Sequence, residues 1–315
     1  MRRAAVAALA LATLLAGCAG VPPPLAPGAY AFGVMGDTPY SDTQEPHFVA
    51  MIARMNAQPL AFVIHVGDIK AGSHSPCSDE LYARRRAQFD ASTHPLVYTP
   101  GDNEWTDCRR ASNGHGDPLE RLAKLREVFF AGRKSLGAGV LDTAGEDDAA
   151  PGCTAYPENR MWSHGGVYFA TVNMPGPDDN EGVDAASDAE ARCRDAANAA
   201  WIERAAERVE REDARALVIA TQADPWVSKA PGFVALLAQV AAVAGRLRRP
   251  VLFVHGDTHV YRYDTPFRDA AGATVPNAIR LETYGSPLVG WVRVTVDPAD
   301  PRVFSVQPML LAISG

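Results

Sequence analysis

Four stretches of this 315-residue chain close an apolar run with Gly-Asp: YAFGVMGD ending at Asp37, LAFVIHVGD at Asp68, PLVYTPGD at Asp102 and PVLFVHGD at Asp257. Each run is rich in Val, Ile, Phe, Leu or Tyr and reads as a buried strand. One Gly-Asp after a strand is ordinary turn chemistry, because glycine takes unusual φ and aspartate bonds its own backbone. Four invite a second explanation. Strands whose C-terminal ends share an edge would gather the four carboxylates where α/β folds place ligands. Carboxylates so close raise one another's pKa unless a cation neutralises them. His259 follows Asp257 by two residues, and on an extended segment the two would project from one face. A fifth run, ALVIATQADPW, adds Gln222 and Asp224 as further oxygen donors.

The elements that must position these groups are legible from spacing. Phe48, Met51, Ile52 and Met55 repeat as one face of a helix between the first two strands. A second helix is expected from about Ser78 to Ala91, and Leu119, Leu122, Leu125, Val128 and Phe129 mark a third. The stretch from Gly132 to Asn159 lacks periodicity and reads as long loops. GGVYFATVN is a further strand. Ser187-Asp188-Ala189-Glu190 has the pattern of a capping box opening a long helix to about Glu212. GFVALLAQVAAVAG is another helix, and WVRVTVD an alternating strand. Strands alternating with helices predict a layered α/β fold, and no internal repeat suggests a solenoid.

The N-terminus carries an address. Residues 1–17 combine Arg2 and Arg3 with an apolar core too short to span a bilayer, as a signal peptide does. Leu15-Ala16-Gly17-Cys18 resembles a bacterial lipobox, with Cys18 lipidated and the Pro-rich residues 18–29 as a tether to one domain over 30–315. Ala19 after the cysteine resembles the signal for outer-membrane sorting, so the body is expected in the cell envelope, facing the periplasm. Removal of the leader leaves 28 basic against 37 acidic residues, a balance without a nucleic-acid footprint. Nothing in the sequence sets the oligomeric state. Cys77, Cys108, Cys153 and Cys193 then remain, an even number without the close pairing of zinc sites. Sequence leaves three connectivities open, and their flanking positions favour Cys77 with Cys108 and Cys153 with Cys193.

The ordered series of motifs resembles the calcineurin-like metallophosphoesterases, from about Ala31 to Asp297. Asp37 matches the first motif, Asp68 the second, Gly101-Asp102-Asn103-Glu104 the third, Gln222 in TQADPW the fourth, and Gly256-Asp257-Thr258-His259 the fifth. The resemblance implies a four-layer αββα sandwich of two mixed sheets flanked by helices. It also implies two divalent metals about 3.5 Å apart, bridged by Asp68. Asp37 and His259 would serve one metal, and Asp102, Asp257 and Gln222 the other. The implied chemistry is attack of a metal-activated hydroxide on a phosphomonoester or phosphodiester of a small molecule or an envelope component. The departures are specific. Pro39 stands at a ligand histidine, with Tyr40 the nearest substitute. Asp102 replaces an asparagine ligand, Asn103 a catalytic histidine, Asp257 and Gln222 two further histidines. Oxygen in place of imidazole favours Mn²⁺, Mg²⁺ or Ca²⁺ over Zn²⁺. Asn103 is then the group that orients phosphate. His255, like His65, precedes a Gly-Asp and is either a proton donor or a histidine bonded within the strand layer. Arg262 is a candidate phosphate contact. A non-catalytic envelope protein of the same fold, binding a structural cation or a phosphorylated ligand, is the alternative.

Overall fold

The computed structural model describes residues 25–146 and 150–311; Cys18, the signal peptide and most of the tether lie outside them. In chain order the elements are β1 (Tyr30–Met35), α1 (Glu45–Asn56), β2 (Val63–His65), α2 (Asp79–Asp90), β3 (Leu96–Tyr98), α3 (Pro118–Phe129), β4 (Ala144–Glu146), β5 (Tyr156–His164), β6 (Val167–Thr171), α4 (Ala185–Arg211), β7 (Ala216–Ala220), α5 (Pro231–Leu247), β8 (Val251–His255), β9 (Arg262–Asp264), β10 (Ala278–Glu282), β11 (Gly290–Val296) and β12 (Phe304–Leu310). Short 3-10 helices at Thr106–Arg109 and Ala111–Asn113 join β3 to α3.

Two mixed sheets result, one ordered β12-β11-β1-β2-β3 and one ordered β4-β5-β6-β7-β8-β10-β9. In β1 the period of two divides the side chains cleanly. Phe32 and Val34 face the other sheet, meeting Phe169, Val218 and Val254, while Ala31 and Met35 pack under the helices with Met51, Phe89 and Leu125. The second sheet repeats the arrangement, for Leu217, Ile219 and Phe253 pack on Trp201, Ile202 and Phe233 of α4 and α5. Helices therefore cover the outer face of each sheet, which is the αββα sandwich. Each large side chain so buried stabilises by about 1.5–3 kcal/mol, which is why purely apolar runs sit in the two middle layers. No described helix is long and apolar enough to cross a membrane.

Caps fix the helix starts. Ser78 accepts from Leu81 N at 3.2 Å and Asp117 from Glu120 N at 2.9 Å. The capping box expected at Ser187 is displaced: Asp184 is the cap, accepting from Ser187 N at 2.8 Å, and Glu190 instead pairs with Arg194 at 3.1 Å. Asp184, three residues earlier, meets the orphan amides first, and Ser187 is left inside the first turn. The stretch from Gly132 to Asn159 is not all loop either. It contributes β4 and the start of β5, whose apolar alternation is broken by buried Glu158, Asn159 and Arg160. These are satisfied by partners: Arg126 grips Glu158 at 2.9 and 2.7 Å, and Asn159 donates to Glu146 and Asn198. Both disulfides form in the favoured pairing, Cys77–Cys108 and Cys153–Cys193.

Candidate metal centre at the strand ends

Strand order explains how distant carboxylates meet. β1, β2 and β3 are adjacent and parallel, so Asp37, Asp68 and Asp102 leave the same edge of the first sheet. β7 and β8 are adjacent and parallel in the second, which sets Gln222 beside the Gly256-Asp257 turn, with Gly256 N donating to Gln222 O at 3.0 Å. The Gly-Asp runs thus end on two sheets, not one, and the edges are stitched together where Asp257 N donates to Asp37 Oδ1 at 3.0 Å. Asp37, Asp68 and Asp257 take left-handed backbones, with φ of 52°, 56° and 81°. Aspartate tolerates this region better than most side chains, so turn chemistry and carboxylate gathering share the same residues. Gly67, at φ 91°, lies where a Cβ would meet Gly101 N at 2.5 Å, which is why the second and third turns approach so closely.

Around Asp68 the polar contacts are dense. Its Oδ2 accepts from Tyr40 O–H at 2.8 Å and from Asn103 Nδ2 at 2.7 Å, and its Oδ1 accepts from Asn103 N at 3.2 Å. Asn103 Nδ2 also donates to Tyr40 Oη at 3.0 Å. His259 donates from Nδ1 to Ser286 O at 2.6 Å. That leaves the Nε2 lone pair 3.3 Å from Tyr40 Oη and 3.8 Å from Asp37 Oδ1. The segment from Asp257 to His259 is not extended as expected, since His259 too has a positive φ, of 64°. The cause is Glu282 on β10, whose Oε1 accepts from Thr258 Oγ1 and from Val260 N and so folds the loop around itself. Asp102 and Asp257 face each other over Gly176: a Cβ there would stand 3.5 Å from Asp102 Oδ1 and 3.3 Å from Asp257 Oδ2. Gly176 N donates to Gln222 Oε1 at 3.3 Å.

Burial, and then mutual repulsion, sets the electrostatics. Asp37, Asp68 and Asp102 are held well above the usual carboxylate range, first by loss of water and then by neighbouring charges: Asp257, Glu282 and Asp102 on Asp37, against the pull of the Asp257 amide, Glu104 and Asp37 on Asp68, and Asp68 on Asp102. Asp257 is raised by burial as well, although the Asp224 amide at 2.8 Å draws it back. Burial lowers the Lys70 ammonium to about 8, against the pull of Glu104, and its protons go to Asn103 O at 2.7 Å and Ala71 O at 2.8 Å. Asp37 Oδ2 is buried without any hydrogen-bond partner. A bare, fully buried carboxylate oxygen among three other carboxylates is what a divalent cation would satisfy, and the oxygen-rich donor set fits a hard ion.

The structure brings Asp37, Asp68, Asp102, Asn103, Gln222, Asp257 and His259 to one junction, joined pairwise. Among the described residues, the trio whose ligand atoms all lie within 4.8 Å of one another is a different one: Asp224, His255 and Glu282. His255 is fully buried against Trp226 and Phe253, and burial lowers its ring to about 4. His65 is equally buried among Phe48, Phe89 and Tyr98, lowered to about 3 by burial, and accepts from Gly67 N at 3.1 Å. It is a histidine of the strand layer. Arg262 does not stand free for phosphate; it donates through Nη1 to Glu282 and to Thr258 Oγ1 at 2.7 Å. Sequence reasoning missed Glu104, Gly176 and Glu282. Glu104 was visible in the third motif, Gly176 only as the Pro-Gly-Pro turn at 175–177, and Glu282 gave no signal.

No protein-family model matches the chain, and no curated protein matches it in sequence. Solved structures superpose on it loosely, three of them as follows. A novel phosphatase from Mycoplasma pneumoniae superposes at TM-score 0.46 with 11% identity, covering 90% of this chain and 93% of its own. A 5'-nucleotidase from Candida albicans SC5314 does so at 0.45 and 13%, over 88% of this chain, which spans about half (51%) of that protein. GAP50, the anchor in the inner membrane complex of Plasmodium, superposes at 0.44 with 8% identity over 90% of each chain. At such identities and scores, these likenesses leave the activity of this chain to its own residues.

Proposed function

We propose that this chain hydrolyses a phosphate ester with the help of divalent cations at the junction of the two sheets. The observation that carries this reading is the gathering of buried Asp37, Asp68 and Asp102 with half-buried Asp257 at one junction, where Asp37 Oδ2 has no hydrogen-bond partner among the described residues. Asp37, Asp68, Asp102, Gln222, Asp257 and His259 would hold two ions, Mn²⁺, Mg²⁺ or Ca²⁺ in preference to Zn²⁺. When bound, the ions supply Lewis-acid polarisation of the phosphoryl group and cancel the charge that develops on its oxygens.

The chain's own groups do the rest. Asn103 Nδ2 and Tyr40 O–H lie 3.0 Å apart and both donate to Asp68 Oδ2; with Asp68 engaged by a cation, these protons would turn to a phosphoryl oxygen. Burial and Asp68 hold the Tyr40 hydroxyl well above its ordinary pKa, so it donates without ionising. Asn103 orients and does not transfer a proton, which favours esters whose leaving group needs no acid. Ser286 fixes the His259 tautomer, so Nε2 presents its lone pair to the junction. Cys18 would tether the domain to the envelope, and Cys18→Ala should release it from membranes. Elemental analysis of the purified protein, followed by phosphomonoester and phosphodiester panels with the metal found, tests the function. A metal-loaded protein inactive on both panels would leave the alternative, a binding protein of the same fold.

A further inference from the structure

Behind the strand-end junction lies a second cluster with a different donor set. Asp224 follows β7, His255 ends β8 and Glu282 ends β10, three neighbouring parallel strands of the second sheet. All three residues are buried, and one ligand atom from each lies within 4.8 Å of the other two. His255 Nδ1 faces Gly256 O at 2.9 Å, and a carbonyl can only accept, so the ring proton is on Nδ1. Nε2 is therefore a bare lone pair, buried without a hydrogen-bond partner. The cation that now faces the carboxylates is Arg262, whose Nη1 donates to Glu282 and stands 3.6 Å from Asp224. In this arrangement Nη1 of Arg262 is committed to Glu282 and Thr258, and the His255 Nε2 lone pair is left unmet. The Arg262 side chain remains 34% exposed, so it has solvent to move into, whereas the trio has none.

We propose that Asp224, His255 and Glu282 form a separate site for one transition-metal dication, with Arg262 as the side chain that occupies its mouth when the ion is absent. One imidazole and two carboxylates suit Zn²⁺, where the oxygen-rich strand-end set suits harder ions. The site depends on the geometry of β7, β8 and β10 and not on hydrolysis. Because Asp224 N holds Asp257 Oδ2 and Glu282 holds the Thr258 loop, an ion here would brace the same turn that carries His259.

The test uses the purified chain, stripped with a chelator and titrated with Zn²⁺ in the presence of excess Mg²⁺. Bound zinc is counted by elemental analysis, and affinity is measured by competition with a chromophoric chelator. Wild type should bind one equivalent more than His255→Gln, and Asp68→Ala should retain that equivalent. Arg262→Ala, which leaves the buried trio whole, should tighten it roughly tenfold by removing the competing charge. Equal zinc content in wild type and His255→Gln overturns the site, as does loss of the same equivalent in Asp68→Ala, which would assign the ion to the strand ends. Unchanged affinity in Arg262→Ala overturns the role of that arginine.

Discussion

Asp102 and Glu104 stand two residues apart in one turn, both buried, and have opposite surroundings. Glu104 points down into a knot: it accepts from Gly101 N at 2.7 Å, Asp68 N at 3.1 Å, Ile69 N at 3.3 Å and Tyr98 O–H at 2.7 Å, and Lys70 offsets part of the rise that burial imposes. Asp102 points the other way, to Asp257 across Gly176, where its neighbours are further carboxylates. The comparison separates two uses of a buried acid. One is a structural acceptor, both of whose oxygens are met by donors of the chain. The other is left for something the chain does not supply.

The largest effect should come from breaking the knot. Glu104→Ala would strand three backbone amides, the Tyr98 hydroxyl and the Lys70 charge, and should destabilise by at least about 3–5 kcal/mol. Urea unfolding measures this, and the loss should be the same with or without divalent cations. Next is the staple across the knot. Removal of Cys77–Cys108 or of Cys153–Cys193 by paired Cys→Ser changes should each cost about 2–4 kcal/mol. Only the first should also slow turnover, because Cys77 Sγ lies 3.7 Å from Asn103 O.

On the open side the effects divide differently. Asn103→Ala should keep the metal but slow phosphoester turnover by roughly 10- to 100-fold, and Asn103→His should favour esters with poor leaving groups. Metal content and rate, measured on the same preparations, check this. The remaining effect is in pH. In chelated protein, Asp37, Asp68 and Asp102 bind protons more tightly folded than unfolded, so stability is greatest below the unfolded carboxylate pKa, near 4, and falls as pH rises toward their raised values. Melting temperature should therefore drop between pH 5 and 7 in chelator, and Mn²⁺ should abolish the drop. A flat profile without metal would deny the repulsion.

How much of this was readable beforehand follows the same division. The Gly-Asp turns were legible because strand periodicity and turn chemistry are local, and α2 ran from cap to cap where Ser78 and Ala91 put it. β5, β10 and β12 were not, because YPENRMWSH, AIRLE and FSVQPML carry polar or proline residues whose place in a sheet depends on distant partners. Arg280 of β10, for example, is held by Asp264 of β9 at 2.8 and 2.6 Å. For the same reason the strand-end carboxylates were nameable, whereas Glu282, which shapes the His259 loop from another strand, was not.

The account rests on Asp102 being a cation ligand and not merely a turn residue. Its most direct test is the metal content and activity of Asp102→Ala beside wild type, in protein whose melting temperature shows it folded. The expected result is that bound divalent metal and phosphoester turnover fall together, since loss of a charged donor weakens the whole oxygen cage. Full metal content with full activity in Asp102→Ala would contradict it.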